Sequence, residues 1–479
     1  MTRLMFRSRY LYDIDSVNFA LALGRFDPSV HQPHPPGYFL YVMLGRLVNV
    51  MASDANLAFV LISVAASCGT VAVLYLLTLE WFGRGPARFA ALLFLLSPLA
   101  WFHGTVALTY VVECFFSTLI GYLCWRLIQG KGYSAWVAVV LGIAAGFRPS
   151  SILLLGPLCL YAIFVRRRRE LFPGAVALSV SCAAWFVPMV LVTGGFRVYF
   201  QSLVELWKVA GGHDTVLTSP LALSFARLLT ILGIACLCFG LASMFSFGTP
   251  RNRSLDERLR ARFTAVWIGP GLLFFTLVFL RFINSGYLLF LSPPLFAYLG
   301  RNIFDWWNRG ESPRRLRAIG LAGIAGANVA IFLFAPIYCS YRSVRQFESQ
   351  LVAYNAAVRR VGSPETTMLI GFDSHFLGYR HAAYYLPEYL TVQFPVVKMG
   401  SRVGVFAARD RHTRFLEGLS RSQFKQFILL PLPREEGYLT YLRGIYRRFP
   451  AGRLTFNTVA GWSLASGSIQ DLEYLFPGS

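Results

Sequence analysis

Ten stretches of the chain are apolar enough, for long enough, to be read as membrane-crossing helices: 55–80, 88–103, 105–126, 133–148, 150–165, 171–193, 219–246, 263–281, 284–300 and 316–336. A bilayer core takes about 20 helical residues to cross, and within it a backbone has to satisfy its own hydrogen bonds, which a helix does. That constraint sets the fold class as an all-α polytopic bundle of about 10–11 membrane helices. Composition agrees, with 56% hydrophobic and 14% charged residues against roughly 25% charged in a soluble domain. The runs at 88–103, 133–148 and 150–165 are short for a full crossing. They read as broken or half-inserted helices, which a bilayer tolerates where protein or a water-filled cavity covers the backbone.

Arginine placement orients these runs. Arg84 and Arg88, then Arg126 and Lys131, then Arg166 to Arg169, fall in alternate connections. Arg251, Arg253, Arg258, Arg260 and Arg262 follow in another, and Arg301, Arg309, Arg314, Arg315 and Arg317 in the last. By the positive-inside rule these connections are cytoplasmic. The remainder is then external: 1–54, the Gly104–Glu113 turn, 194–218 and everything after about 337. The excess of 45 basic over 23 acidic residues, a net charge of +22, is explained by these loops and points to membrane lipids, not nucleic acid, as partners. The eight cysteines include no CxxC pair, and seven of them lie in apolar runs, as membrane-buried thiols. The first residues are basic and polar, unlike a cleavable signal sequence.

Three domains follow: 1–54 as an external acidic loop region with a juxtamembrane helix, 55–336 as the transmembrane domain, and 337–479 as an external soluble α/β domain. In the last, Ser340–Val361 and His375–Tyr385 read as helices, and Thr367–Phe372, Arg402–Ala407 and Gln426–Pro431 as strands. Gly195–Val216 has the amphipathic pattern of a helix lying in the external interface. No repeat or low-complexity linker interrupts the chain.

The external face collects the residues able to do chemistry: Asp13, Asp15, His31, His34, Glu113, His213 and Asp214, with Arg148 and Arg281 from membrane depth. His31-Gln32-Pro33-His34-Pro35-Pro36-Gly37-Tyr38 cannot continue a helix, so it reads as a rigid loop that aims its neighbours. Asp13 and Asp15 are either an acidic pair in that site or a solvated helix start, with Asp15-Ser16 capping a helix over Val17–Leu23. Glu113 is either catalytic or a plain surface glutamate. The Arg148 guanidinium suits a lipid phosphate; otherwise it snorkels to the headgroups. Asp13, Asp15 and Glu113 together offer oxygens to a divalent cation, although their spacing is not that of a metal motif.

Asp15 to Ala20, followed by Pro33-His34-Pro35-Pro36-Gly37-Tyr38, resembles the first external loop of the GT-C superfamily of membrane glycosyltransferases. The nearest patterns are those of its protein O-mannosyltransferase-like and aminoarabinose-transferase-like branches. Gly286-Tyr287 through Pro294 resembles their Arg-Tyr-Leu-Leu…Pro-Pro helix start, with glycine where arginine is usual. The resemblance implies a GT-C-like bundle that transfers a sugar from a polyprenyl-phosphate donor to a hydroxyl of a protein, glycan or lipid acceptor, with inversion. It implies Asp15 as the catalytic base, with Asp13 and Glu113 beside it. Arg148, His34, His31, Arg281 and Tyr287 are then the residues for the donor phosphate. A bacterial inner membrane with a periplasmic site is the corresponding location. The family's membrane helix before the acidic loop is missing, so the expectation is a start further upstream or a translocated N-terminus. A lipid or lipid-linked-sugar flippase is the alternative, since broken helices and buried arginines also suit translocation; a scaffold protein leaves the acidic pair and the proline loop without a role.

Overall fold

The computed structural model describes residues 2–166, 168–206, 221–245, 254–277, 285–309, 313–372, 374–394, 396–398, 402–404, 413–415, 423–430, 443–459 and 462–475. Its helices run in the order α1 (Thr2–Met5), α2 (Ile14–Gly24), α3 (Phe39–Ala52), α4 (Ala55–Phe82), α5 (Arg84–Leu95), α6 (Pro98–His103), α7 (Tyr110–Ile128), α8 (Ser134–Phe147) and α9 (Ser150–Arg166). There follow α10 (Leu171–Val192), α11 (Phe196–Leu206), α12 (Leu221–Phe239), α13 (Leu255–Leu277), α14 (Tyr287–Arg309), α15 (Arg314–Phe334), α16 (Tyr341–Val361) and α17 (Tyr379–Tyr385). The strands are β1 (Thr367–Gly371), β2 (Leu390–Gln393), β3 (Val396–Lys398), β4 (Arg402–Gly404), β5 (Thr413–Phe415), β6 (Gln426–Leu429), β7 (Leu454–Val459) and β8 (Trp462–Ser468). The architecture is a polytopic membrane bundle of GT-C type followed by an α/β domain.

Each apolar run of the sequence contains a helix among its described residues. Ala55–Phe82, Tyr110–Ile128, Arg168–Val192 and Arg314–Phe334 are long and apolar enough to cross a membrane, while Ser134–Phe147 and Ser150–Arg166 are shorter. The 88–103 run is broken, and Ser97 and Pro98 break it. The Ser97 hydroxyl accepts from the Ala100 amide at 3.3 Å and donates to the Cys238 carbonyl at 2.5 Å. Pro98 stands at the first turn of α6, where its missing N–H costs nothing. The 105–126 run becomes helical only at Tyr110.

Contacts divide the chain into two compact units, and not at residues 54 and 336. One unit holds Met1–Ser8 and Tyr38–Val344; the other holds Arg9–Gly37 and Arg345–Ser479. The acidic loop thus folds with the C-terminal residues, over 300 positions away in sequence.

In the first unit, α7 is buried among its neighbours. Trp267 of α13 is fully buried, and its Nε1 donates to the Ser117 hydroxyl at 2.9 Å. Ser117 in turn donates to the Phe290 carbonyl at 2.8 Å, tying α7 to α13 and α14. Gly121 makes room for this indole: a Cβ there would lie 2.1 Å from Trp267 Cη2.

In the second unit a six-stranded sheet runs β5-β2-β1-β6-β8-β7, with β1 parallel to β2 and β6, and β2 parallel to β5. β8 joins antiparallel to β6 and forms a hairpin with β7. Alternation along β1 sends Met368 and Ile370 into one apolar layer with Phe427 and Leu472, and Leu369 into another with Tyr354, Val358 and Leu386. Covering a sheet on both faces is what parallel strands require. Residues 405–407 of the expected Arg402–Ala407 strand, and 207–216 of the amphipathic segment, lie outside the described residues.

Gly121→Ala should lower the apparent melting temperature in detergent, corresponding to roughly 1–3 kcal/mol of overpacking. Adding Trp267→Phe should recover part of the loss. A variant as stable as wild type would show that the indole shifts at no cost.

Candidate functional site

Two clusters of charged side chains stand out, one in each unit. In the second unit, Asp13 has extended backbone (φ −118°, ψ 158°) and its Oδ1 accepts from the Asp15 amide at 3.0 Å. Asp13, not Asp15, is therefore the N-cap of α2, which begins at Ile14 and not Val17. The Asp13 Oδ2 lies 3.7 Å from His375 Nδ1. The Ile14 amide donates to the His375 carbonyl at 3.0 Å and the Leu11 amide to the Tyr385 hydroxyl at 2.8 Å. Between them Tyr12 packs its ring against Phe347 and Phe376. His375 follows β1 by a few residues, at the carboxyl end of a parallel strand, the place where open α/β sheets hold ligands. Here that end of the sheet holds the chain's own acidic loop.

The pair is split by burial. The Asp13 side chain is 4% exposed, that of Asp15 33%. Asp15 Oδ1 lies 3.3 Å from His34 Nδ1. His34 is presented by a closed loop: Asp27 and Gln32 exchange main-chain hydrogen bonds at 2.5 and 3.0 Å, and the Asp27 carboxylate accepts from the Ser29 amide and hydroxyl. His31 closes the turn in the left-handed region, at φ 59°.

His31 is held neutral, with burial, then Arg380 and His34, pulling its pKa down to about 3. His381, fully buried on α17, is lowered to about 4 by burial, with Asp13 opposing. A half-exposed carboxylate beside an imidazole can take a proton from a hydroxyl; a buried, capped one is an anchor.

In the first unit, α8 ends at Phe147, and Arg148 turns extended before Pro149 (φ −153°). Its Nη1 lies 3.2 Å from Glu113 Oε2 and donates to the Thr109 hydroxyl at 3.4 Å; its Nη2 donates to the Tyr287 hydroxyl. The rings of Tyr287, Tyr110 and Tyr38 surround the guanidinium at 4.5, 5.3 and 5.8 Å. Both charged side chains are buried, 8% and 1% exposed, so Arg148 does not snorkel and Glu113 is not a surface glutamate. The glycine at 286 has a steric reason, since a Cβ there would lie 2.2 Å from Tyr110 Cγ. The Tyr110 side chain fills the space that a side chain at 286 would need.

Arg281, His213 and Asp214 lie outside the described residues. Asp13 serves the α2 cap and His375, Asp15 faces His34, and Glu113 pairs with Arg148. Among the described residues no three His, Cys, Asp or Glu side chains form a metal-binding group. Sequence reasoning missed His375, His381, Tyr385 and Arg380, because nothing local ties them to a loop more than 300 residues earlier.

The chain has the GT-C fold that the sequence resembles. Residues 28–171 match the model of the family described as Protein O-mannosyl-transferase TMEM260 N-terminal domain. That stretch contains His31, His34, Glu113 and Arg148 and begins after Asp15. The structure is similar to that of ArnT from Cupriavidus metallidurans in the apo state, with TM-score 0.59 and 13% identity over 97% of this chain and 95% of that one. ArnT from the same organism bound to undecaprenyl phosphate gives TM-score 0.58 and 14% identity over the same shares. No curated protein matches the sequence.

Because the His381 pKa of about 4 lies below its ordinary 6.5, the unfolded chain binds the extra proton between these values. Its contribution to stability is complete above pH about 6.5 and is lost as the pH falls toward 4, roughly 3 kcal/mol in all. Melting between pH 7.5 and 4.5 should fall more steeply for wild type than for His381→Phe; equal slopes would contradict this. In the other unit, Glu113→Leu strands a buried cation and should cost about 3–5 kcal/mol, with Glu113→Leu/Arg148→Leu milder than that single change.

Proposed function

We propose that this protein transfers a sugar from a polyprenyl-phosphate-linked donor to an acceptor hydroxyl, at the external face of the membrane and with Asp15 as general base. The observation that carries this reading is the contrast within the acidic pair: Asp13 buried and committed to a helix cap, Asp15 half-exposed and facing His34. The acceptor oxygen attacks the anomeric carbon while the bond from that carbon to the phosphate oxygen breaks. The acceptor proton passes to the Asp15 carboxylate, and polyprenyl phosphate leaves with the bonding electron pair. The Arg148 guanidinium and the Tyr287 hydroxyl are the groups proposed to hold the donor phosphate, through charge-assisted hydrogen bonds. Glu113 then acts as a counter-charge that tempers Arg148. The fold shared with ArnT, one structure of which is bound to undecaprenyl phosphate, supports a lipid-phosphate donor. The family match supports a hydroxyl acceptor.

Asp15→Asn keeps the side-chain volume and leaves the Asp13 cap untouched. In a transfer assay in membranes with a panel of polyprenyl-phosphate sugars, it should bind donor yet lose about two to four orders of magnitude in rate. Near-wild-type transfer would remove Asp15 from the mechanism. Arg148→Leu should raise the apparent donor constant and Glu113→Gln should lower it; no change in either would leave this pair a purely structural tie.

The sidedness has its own test. Arg25→Cys and Arg359→Cys, both at exposed positions, should react with an impermeant thiol reagent in spheroplasts, and Arg168→Cys should be protected. The reverse pattern would invert the topology.

A further inference from the structure

Arg380 sits on α17 and is 1% exposed, a guanidinium buried in the second unit with no role in the chemistry above. Its Nε donates to the Tyr379 hydroxyl at 2.8 Å, and its carbon lies 5.0 Å from the centroid of that ring. Its Nη2 donates to the main-chain carbonyl of Val30 at 2.8 Å. Val30 ends the short turn Pro28–Val30, His31 follows in the left-handed region, and His34 lies three residues on. A buried cation is costly unless its donors are met in good geometry. Two of them are met by groups on separate pieces of chain, one on the adjacent Tyr379 and one on Val30, 350 positions away.

We propose that Arg380 is a positioning residue for sugar transfer: by gripping the Val30 carbonyl it fixes the turn that sets the His34 imidazole against Asp15. The inference rests on the reading of Asp15 as base. Three features of the structure support it. The acidic loop has two halves, and contacts to the C-terminal residues hold both. Leu11 and Ile14 are tied through Tyr385 and His375, while the 28–34 half is tied through Arg380. The position of His34 relative to Asp15, 3.3 Å between Nδ1 and Oδ1, is a distance between those halves. The neighbouring cation also favours the neutral form of His31, which keeps a second charge out of the turn. An arginine does this where a lysine would not, because its planar fork reaches the tyrosine hydroxyl and the carbonyl at once.

The test uses the full-length protein in nanodiscs, with Arg380→Leu, Arg380→Lys and Tyr379→Phe compared with wild type. Amide hydrogen exchange should speed up at residues 27–34 in Arg380→Leu while β1 and β2 stay protected. The kcat for transfer should fall about ten- to a hundredfold, as misplacement of a catalytic group by about 1 Å does, with the donor KM within about twofold of wild type. Arg380→Lys, which keeps one donor, should recover part of the kcat. Tyr379→Phe, which removes the acceptor of Nε but not the ring, should show a smaller loss of the same kind and covers the case in which Arg380→Leu does not fold. Unchanged kcat and unchanged exchange at 27–34 would overturn the proposal. So would a loss of kcat accompanied by general exchange throughout β1 and β2, which would make Arg380 a core residue and nothing more. A wild type inactive on every lipid-linked donor would instead sink the reading of function, and the exchange data would still report on the tie.

Discussion

A charge held away from water has to be met by another charge or by hydrogen bonds, and this constraint organises both units. In the bundle it joins Arg148 to Glu113, with three tyrosine rings closing the remaining sides. In the second unit it places Asp13 on the α2 amide and beside His375, and Arg380 on Val30 and Tyr379. Lone charges in these places would each cost several kcal/mol. The pairs are therefore retained as pairs, and each draws together segments far apart in sequence.

The division of labour between Asp13 and Asp15 follows from the same rule. Only one residue, Ile14, separates them, yet one caps a helix and the other stands at its first turn, turned toward His34. A buried carboxylate that already accepts a backbone N–H is a poor base, because protonating it weakens the cap. The Asp15 side chain is the more exposed of the two and faces His34. The parallel sheet contributes by offering the carboxyl end of β1, with His375 just beyond, as the seat for this loop. The α/β domain is thus part of the apparatus that shapes the acidic loop.

The bundle was legible in the sequence because its signal is local: an apolar run long enough to cross a membrane becomes a helix wherever it packs. The α16 helix and strands β1 and β6 were legible for the same reason, from periodicity within a few residues. The misplaced features depend on distant partners. Asp15 looked like the cap of α2 because the local pattern fits either aspartate, and contact with His375 decides for Asp13. Arg148 could be marked as a costly charge at depth, but Glu113, read as either catalytic or a surface residue, could not be marked as its partner across 35 positions. Arg380, between a tyrosine and a histidine in a short helix, carries no local sign of its burial.

The central claim is that an aspartate acts as a base in a single displacement at the anomeric carbon. The most direct measurement is the anomeric configuration of the first transferred product, read by proton NMR from a donor of defined linkage before any equilibration. Attack from the face opposite the departing phosphate predicts an inverted anomeric centre in the product. Retention would contradict the account, since it requires two successive displacements and would make the carboxylate a nucleophile carrying the sugar.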